Sequence, residues 1–160
     1  MTREDLYKEL LYNAGTGIFT WLKPAQKRVV GNVAGCITPS GYVVICVNRK
    51  LYRAHHLAWL YVHGELPLLI DHINGNRSDN RISNLRPATH SQNSKNRKVS
   101  KKSKSGLKGV YLEKRTGRWE AQICTNGKNI YLGTFKSPHE AHEAYCIKAM
   151  ELHGEFCRFN

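Results

Sequence analysis

The chain has 160 residues, room for one ordinary domain or two small ones, and carries 25 lysines and arginines against 12 acidic residues, a formal charge of +13. A balance that basic selects a polyanionic partner, nucleic acid before membrane, because no basic amphipathic helix accompanies it and no run reaches the ~18 apolar residues of a membrane span. The five cysteines are scattered, odd in number and without a C-x-x-C pair, which disfavours a disulfide framework or a structural zinc site and leaves them as reduced packing residues.

The opening "MTREDLYKELL" is charged and helical in pattern and lacks the apolar region of a signal peptide, so a cytoplasmic, non-secreted protein is expected. Residues 3 to 12 put Leu6, Leu10 and Leu11 on one stripe and predict a short helix. "GIFTWLK", "GNVAGCI" and "GYVVICVNRKLYRA" are β-rich runs cut by glycines and by the "TPSG" turn, which predicts a small antiparallel sheet. "HHLAWLYVHGELP" spaces Leu57, Leu60 and Tyr61 as on a helix and stops at Gly64, a favoured residue just past a helix end.

Next comes "LIDHINGNRSDNRISNL", in which an apolar lead-in delivers Asp71 and His72 into a run of asparagines. Near neutral pH the imidazole of His72 is a natural proton acceptor. Adjacent residues on a strand point to opposite faces, so the pair converges on one site only if the strand end twists or the substrate reaches around it. Otherwise it is a surface hydrogen bond. "NGN" at 74 to 76 suits a tight bend, and Asn80 and Asn84 are placed to bond loop backbone groups.

Between Asp79 and Glu113 the chain has no acidic residue, and "NRKVSKKSKSG" at its centre is poor in apolar residues. It is expected to be a tether whose Lys98, Lys101, Lys102 and Lys104, with Lys95 just before them, add DNA affinity without sequence preference by releasing counterions. Arg86 and Arg97 either hold phosphates or are solvated. Beyond the tether, "KGVYLEKRTGRWEAQICTNGKNIYLGTF" predicts three strands with an Asn-Gly hairpin signal in "TNGK". "SPHEAHEAYCIKAMELHG" then predicts a helix with Ser137 as N-cap, Pro138 in its first turn and Gly154 at its end. Ala141, Tyr145 and Leu152 share one of its faces. Trp119 and Phe135 are expected in a small aromatic core.

"IDHINGNRSDNRISNLRPATHSQNSKN", with "RAHHLAW" upstream, resembles the core of the HNH nucleases of the phage and intron homing type, whose ββα-metal fold is a twisted hairpin followed by a helix. The resemblance implies that Asp71 is a metal ligand and His72 the catalytic base. It implies that Asn84 ties the loop and orients the histidine, and that Asn93, rather than His90, is the second ligand. His55 matches a histidine of the upstream motif or is a packed helix residue; with His90 and Arg97 it is a candidate for supporting the active site. One carboxylate and one amide oxygen suit Mg²⁺ or Mn²⁺ and disfavour zinc.

"KGVYLEKRTGRWEAQICTNGKNIYLGTFKSPHEAHEAYCIKAMELHG" resembles an AP2 DNA-binding domain, in which three strands lie in the major groove and a helix packs behind them. That likeness implies DNA-facing positions for Lys108, Gly109, Tyr111, Glu113, Arg118, Gln122, Cys124, Asn129 and Tyr131. Arg115 and Arg118 flank a turn beside the sheet and are candidate phosphate or guanine contacts.

The expectation is an α+β chain in three parts. Residues 1–97 hold a small antiparallel sheet plus the ββα-metal core, about 66–97. Residues 98–105 are a basic linker, and 106–160 a three-stranded antiparallel sheet packed on one helix. Its function would be that of a metal-dependent endonuclease acting on double-stranded DNA as monomer or weak dimer, in the host cytoplasm if phage-encoded, targeted by the C-terminal module and nicking one strand. The rivals are a non-catalytic DNA-binding regulator and a nonspecific nuclease.

Overall fold

The computed structural model describes residues 1–25, 28–100, 103–125 and 127–159. Lys101, Lys102 and the Asn126 of the expected Asn-Gly turn lie outside them. Contacts gather the chain into two units, Met1–Thr89 and His90–Asn160, so the helix that carries Asn93 is described with the second unit.

In the first unit, α1 (Arg3–Glu9) starts at Thr2, whose hydroxyl accepts from the Asp5 nitrogen while the Asp5 carboxylate accepts from the Thr2 nitrogen. This reciprocal cap satisfies two backbone donors at the helix start. The helix does not run to residue 12 as the leucine stripe predicts. Leu10 is already extended, and β1 (Leu10–Asn13) pairs with β2 (Ile18–Trp21) from Leu10↔Trp21 to Asn13↔Ile18. Period-two burial decides it: Leu10 and Tyr12 are buried while Leu11 points outward, 52% exposed.

Strands β3 (Cys36–Ile37), β4 (Val43–Val47) and β5 (Lys50–Arg53) form the expected antiparallel sheet in that order. Helix α2 (Ala54–His63) follows directly and ends at Gly64, whose φ of 84° is left-handed and whose nitrogen donates to the Leu60 carbonyl. Its buried face carries Ala54, His55, Leu57, Ala58 and Leu60. Ala54, Leu57, Ala58 and Leu60 join Leu6, Leu10, Phe19 and Ile45 in one core, and full burial of a side chain such as Leu6 or Phe19 contributes about 1.5–3 kcal/mol. Against that core stands a short hairpin of β6 (Ile70–His72) and β7 (Leu85–Pro87), paired Ile70↔Pro87, Asp71↔Arg86 and His72↔Leu85.

In the second unit, the short helix α3 (His90–Lys95) precedes a sheet ordered β10-β9-β8, from β8 (Val110–Glu113), β9 (Arg118–Thr125) and β10 (Lys128–Phe135). Helix α4 (Pro138–His153) packs behind the sheet. Ser137 caps it and Pro138 is in its first turn, as expected. Val110, Ala121 and Ile123 meet Ala141, Tyr145 and Ala149, with Trp119 and Phe135 half-buried at the edge. The approach is close at Gly109, which has φ +74° and where a Cβ would overlap the Tyr145 ring. Cys36, Cys46 and Cys124 are exposed free thiols, which corrects their assignment as packing residues: on two- to eight-residue strands they fall on the outward face. Among the described residues, no helix is long and apolar enough to cross a membrane.

Gly17, in the β1–β2 turn, fixes where the first unit's hairpin loop can lie. Its φ is +74°, and an added Cβ would overlap the Arg81 nitrogen and lie 2.5 Å from the Asn80 carbonyl carbon. Gly17→Ala combines a left-handed residue with a backbone clash and should cost about 2 kcal/mol or more. An unfolding midpoint in urea equal to that of the parent chain would show that the turn does not rest on this loop.

Candidate functional site

The loop between β6 and β7 is built from side-chain amides. Asn84 Oδ1 accepts from the Asn74 nitrogen at 3.0 Å, and Asn84 Nδ2 donates to Asn74 Oδ1 at 3.1 Å and to the Asp79 carbonyl at 2.8 Å. Asn74 Oδ1 also receives the Asn76 nitrogen, and Asn76 Oδ1 receives the nitrogen and hydroxyl of Ser78. Such bonds replace ladder hydrogen bonds where the chain turns too tightly for a strand. Asp79 completes the ring, accepting from Asn74 Nδ2 at 2.8 Å and from Arg81 Nη2 at 2.6 Å. The Arg81 guanidinium, first among the causes, holds its carboxyl down to about 2.

Asn84 therefore joins the Asn74 and Asp79 ends of the loop. The amide that touches the His72 ring is that of Asn80, with Nε2 and Oδ1 3.3 Å apart. Asn80 is 2% exposed, its Nδ2 donates to the Ser78 carbonyl, and its own carbonyl accepts the Tyr12 hydroxyl at 2.7 Å. With the amide fixed that way, Oδ1 faces the ring, and a neutral His72 carries its proton on Nε2 and its lone pair on Nδ1. Burial pushes the His72 imidazole below its ordinary value; the Asn80 bond and the charges of Asp71 and Asp79 oppose that shift, and Arg77 adds to it.

Asp71, the neighbour of His72 on β6, faces Arg86 across the ladder. Arg86 Nη2 and Nε donate to Asp71 Oδ2 at 2.9 and 3.2 Å. Both residues are buried, 5% and 8% exposed. Arg86, a candidate phosphate contact by sequence, thus sits in the strand pair with its guanidinium on Asp71. A buried carboxylate left without such a partner would be strongly unfavourable.

Three aromatic rings back the histidine. His55 meets it edge-on at 4.8 Å, His56 stands against His55 at 4.5 Å, and Tyr42 lies 6.1 Å away. His55 is 2% exposed and its Nδ1 has no hydrogen-bond partner among the described residues. Burial first, then the charges of His72, His56 and Arg53, bring its imidazole down to about 3. It is a packed, neutral ring against His72. The sequence marks Asn80 as a loop-bonding amide, which its bond to the Ser78 carbonyl is, but not as the partner of His72, and nothing local marks Gly17 or Tyr42, because these roles come from tertiary approach.

The remaining candidates lie in the second unit. Asn93 is half-buried on α3, while His90, at its first residue, and Arg97, beyond it, are exposed. Lys98 and Lys104 are exposed. The strand register puts Tyr111, Arg118, Gln122 and Tyr131 on the sheet face opposite α4, with Tyr111 and Tyr131 57% and 58% exposed. Arg115 is exposed in the β8–β9 turn; Glu113 caps that turn by accepting the Arg115 and Thr116 nitrogens at 2.9 Å each. Lys108 is half-buried and its ammonium donates to the Lys95 carbonyl at the end of α3. A cleft of about 350 Å³ gathers Lys95, Lys108, Tyr111 and Gln122.

Among the described residues, no three His, Cys, Asp or Glu side chains gather into a cluster able to hold a metal. The Asp71 carboxylate is a hard oxygen donor of the kind divalent cations take, and one of its oxygens, Oδ2, is held by Arg86.

Residues 52–95 match the HNH endonuclease family and residues 105–155 match the AP2 domain. An HNH endonuclease of Acanthamoeba polyphaga mimivirus is 28% identical over 152 residues, 94% of this chain and 79% of that protein. Protein 3.8 of Escherichia phage T7 is 35% identical over 114 residues, 69% of this chain and 92% of that protein. An AP2-like ethylene-responsive transcription factor of Arabidopsis thaliana is 40% identical over 60 residues, 38% of this chain and 12% of that protein. No solved structure matches the chain.

The buried histidine makes stability depend on pH. His55 binds a proton below about 3 when folded and near its ordinary 6.5 when unfolded, so between those values the unfolded state holds more protons. Stability is then full above 6.5 and falls as pH drops, by up to about 1.4 kcal/mol per pH unit. Urea unfolding should show about 2 kcal/mol less stability at pH 5 than at pH 7, and His55→Gln should flatten that difference. Equal stability at the two pH values, before carboxylates begin to titrate, would contradict a neutral buried His55.

Proposed function

The chain belongs to the HNH endonuclease family and carries an AP2 domain behind the nuclease module, a DNA-binding nuclease, and from that premise we propose that it is a divalent-metal-dependent enzyme that nicks double-stranded DNA. The observation supporting this most directly is the β6 pair itself, Asp71 bonded to Arg86 and His72 bonded through Nε2 to Asn80. A base with a fixed tautomer stands next to an oriented carboxylate, which is what in-line hydrolysis of a phosphodiester requires.

In this reading the Nδ1 lone pair of His72 takes a proton from water, and the hydroxide attacks phosphorus opposite the 3′ oxygen. The phosphorus to 3′-oxygen bond breaks, the leaving oxygen is protonated from solvent, and the ends carry 5′-phosphate and 3′-hydroxyl. A Mg²⁺ or Mn²⁺ ion held by Asp71 and Asn93 would supply positive charge against the phosphate and the leaving oxygen. Arg86 keeps the Asp71 carboxylate in one orientation. Asn84 holds the loop that carries Asn80, and Asn80 holds His72. His55 supports the ring by packing, with His90 and Arg97 assigned to the same neighbourhood by the motif.

The division into a nuclease domain at 1–97, a linker at 98–105 and a DNA-binding domain at 106–160 is part of this proposal. The AP2 module would choose the site through the open sheet face, with Tyr111, Gln122, Tyr131, Arg115 and Arg118 reading or gripping the groove. Lys95, Lys98, Lys101, Lys102, Lys104 and Lys108 would add the salt-sensitive part of the affinity. One chain has one such centre, so a monomer in the cytoplasm of the host cuts one strand and double-strand cleavage needs a weak dimer or a second event.

Supercoiled plasmid with Mg²⁺ should become open circle in the presence of the full chain. Replacing the base in His72→Ala should slow that conversion by about 10²–10⁴-fold, and Asp71→Ala should slow it comparably. Variants that nick as fast as the parent would remove these two residues from the chemistry. Sequencing the nicked ends tests the targeting: a recurring site supports it, random ends defeat it.

A further inference from the structure

Beside the histidines stands a pair of arginines that the hydrolysis above does not use. Arg53, at the junction of β5 and α2, lies 4.8 Å above the Tyr42 ring, and Arg77, from the amide-built loop, lies 4.9 Å above the same ring. Arg77 Nη1 also donates to the Ser40 carbonyl at 3.0 Å. The ring they share is 5.4 Å from His55 and 6.1 Å from His72. The β4–β5 hairpin and the more distant amide-built loop thus bring two guanidiniums to one aromatic ring at the edge of the candidate centre.

Their electrostatic setting differs from that of their neighbours. Arg81 and Arg86 each pair with a carboxylate, Asp79 and Asp71 respectively. Arg53 and Arg77 are exposed, and among the described residues neither makes an ion pair. The charge of Arg77 acts on His72 and that of Arg53 on His55 and His56, each disfavouring the imidazolium. Two like charges held this close to one ring and to a histidine cluster repel each other, and an anion between or beside them relieves that repulsion. Stacking on an aromatic face fixes the plane of a guanidinium, and the planar fork then fits phosphate oxygens two at a time.

We propose that Arg53 and Arg77, held on the Tyr42 ring, form a clamp for a DNA backbone phosphate next to the scissile one and so act as positioning residues that set the cut strand against His72. The inference rests on the nuclease reading above, and its test separates the two. The full chain is prepared with His72→Ala, which needs no cleavage to be informative, and binding to a plasmid fragment is measured against KCl concentration. Adding Arg53→Gln and Arg77→Gln should lower the slope of log K against log[KCl] by close to one, since one phosphate contact contributes about 0.9. The Lys pair, which keeps both charges, should hold the parent slope, and each single Gln variant, folded even if the double variant is not, should lose about half of the effect.

With His72 restored, the double Gln variant should nick supercoiled plasmid about 10–100-fold more slowly at saturating enzyme, the scale of a misplaced substrate. A slope that does not change in the single or double Gln variants overturns the clamp, and so does slower nicking with an unchanged slope, because that combination marks residues that only pack. A parent chain that fails to nick while its slope does fall with the Gln substitutions would defeat the nuclease reading and leave a phosphate-binding pair.

Discussion

The side-chain amide of Asn84 joins both ends of the loop between β6 and β7, accepting from the Asn74 nitrogen and donating to the Asp79 carbonyl at 2.8 Å. That closure spans the whole loop, whereas the bonds of Asn74, Asn76 and Asp79 hold shorter stretches within it, and the strands it connects are three residues each. From it follow the position of Asn80, the bond from Asn80 to the His72 ring, and the approach of Arg77 to Tyr42. A bond network of this kind is held by cooperation, so losing one amide exposes several buried polar groups together. The rest of the first unit serves it from outside, with Gly17 leaving room for the Asn80–Arg81 backbone and Tyr12 binding the Asn80 carbonyl.

Charge is distributed in this unit according to what each group does. Asp71 and Arg86 neutralise each other inside the strand pair, where an unpaired charge would be costly. Arg81 is turned onto Asp79 to stiffen the loop. Burial favours the neutral form of His55, His56 and His72, the form the proposed base requires. Arg53 and Arg77, which make no ion pair among the described residues, lie over the Tyr42 ring beside the histidines.

Much of this was legible in the sequence, and the limits have physical causes. The hairpin, the AP2-like sheet and helix, the loop-closing role of Asn84 and the end of α2 at Gly64 could be read because they depend on residue type at fixed local spacing. The extent of α1 could not, because Leu10 and Leu11 fit a helical stripe as well as the start of β1, and only the pairing of Leu10 with Trp21 chooses. Arg86 looks like a surface cation in the sequence, whereas the register that sets it opposite Asp71 is a long-range property. Asn80 was indistinguishable from the other asparagines until the Tyr12 hydroxyl and His72 ring converged on it. The cysteines resembled core residues by type, but strand alternation turned Cys46 and Cys124 outward, and Cys36 lies on a two-residue strand exposed at both positions.

The account stands on a neutral, buried His72 acting as the base, and the rate of plasmid nicking against pH tests that most directly. With chemistry rate-limiting at saturating Mg²⁺, the rate should be flat from pH 8 down past 6.5, the ordinary imidazole value, because burial lowers the His72 pKa. It should then fall tenfold per pH unit once the imidazolium forms at lower pH, and His72→Ala should abolish that acid limb. A rate that keeps falling from above pH 7, or the same acid limb in His72→Ala, would contradict it.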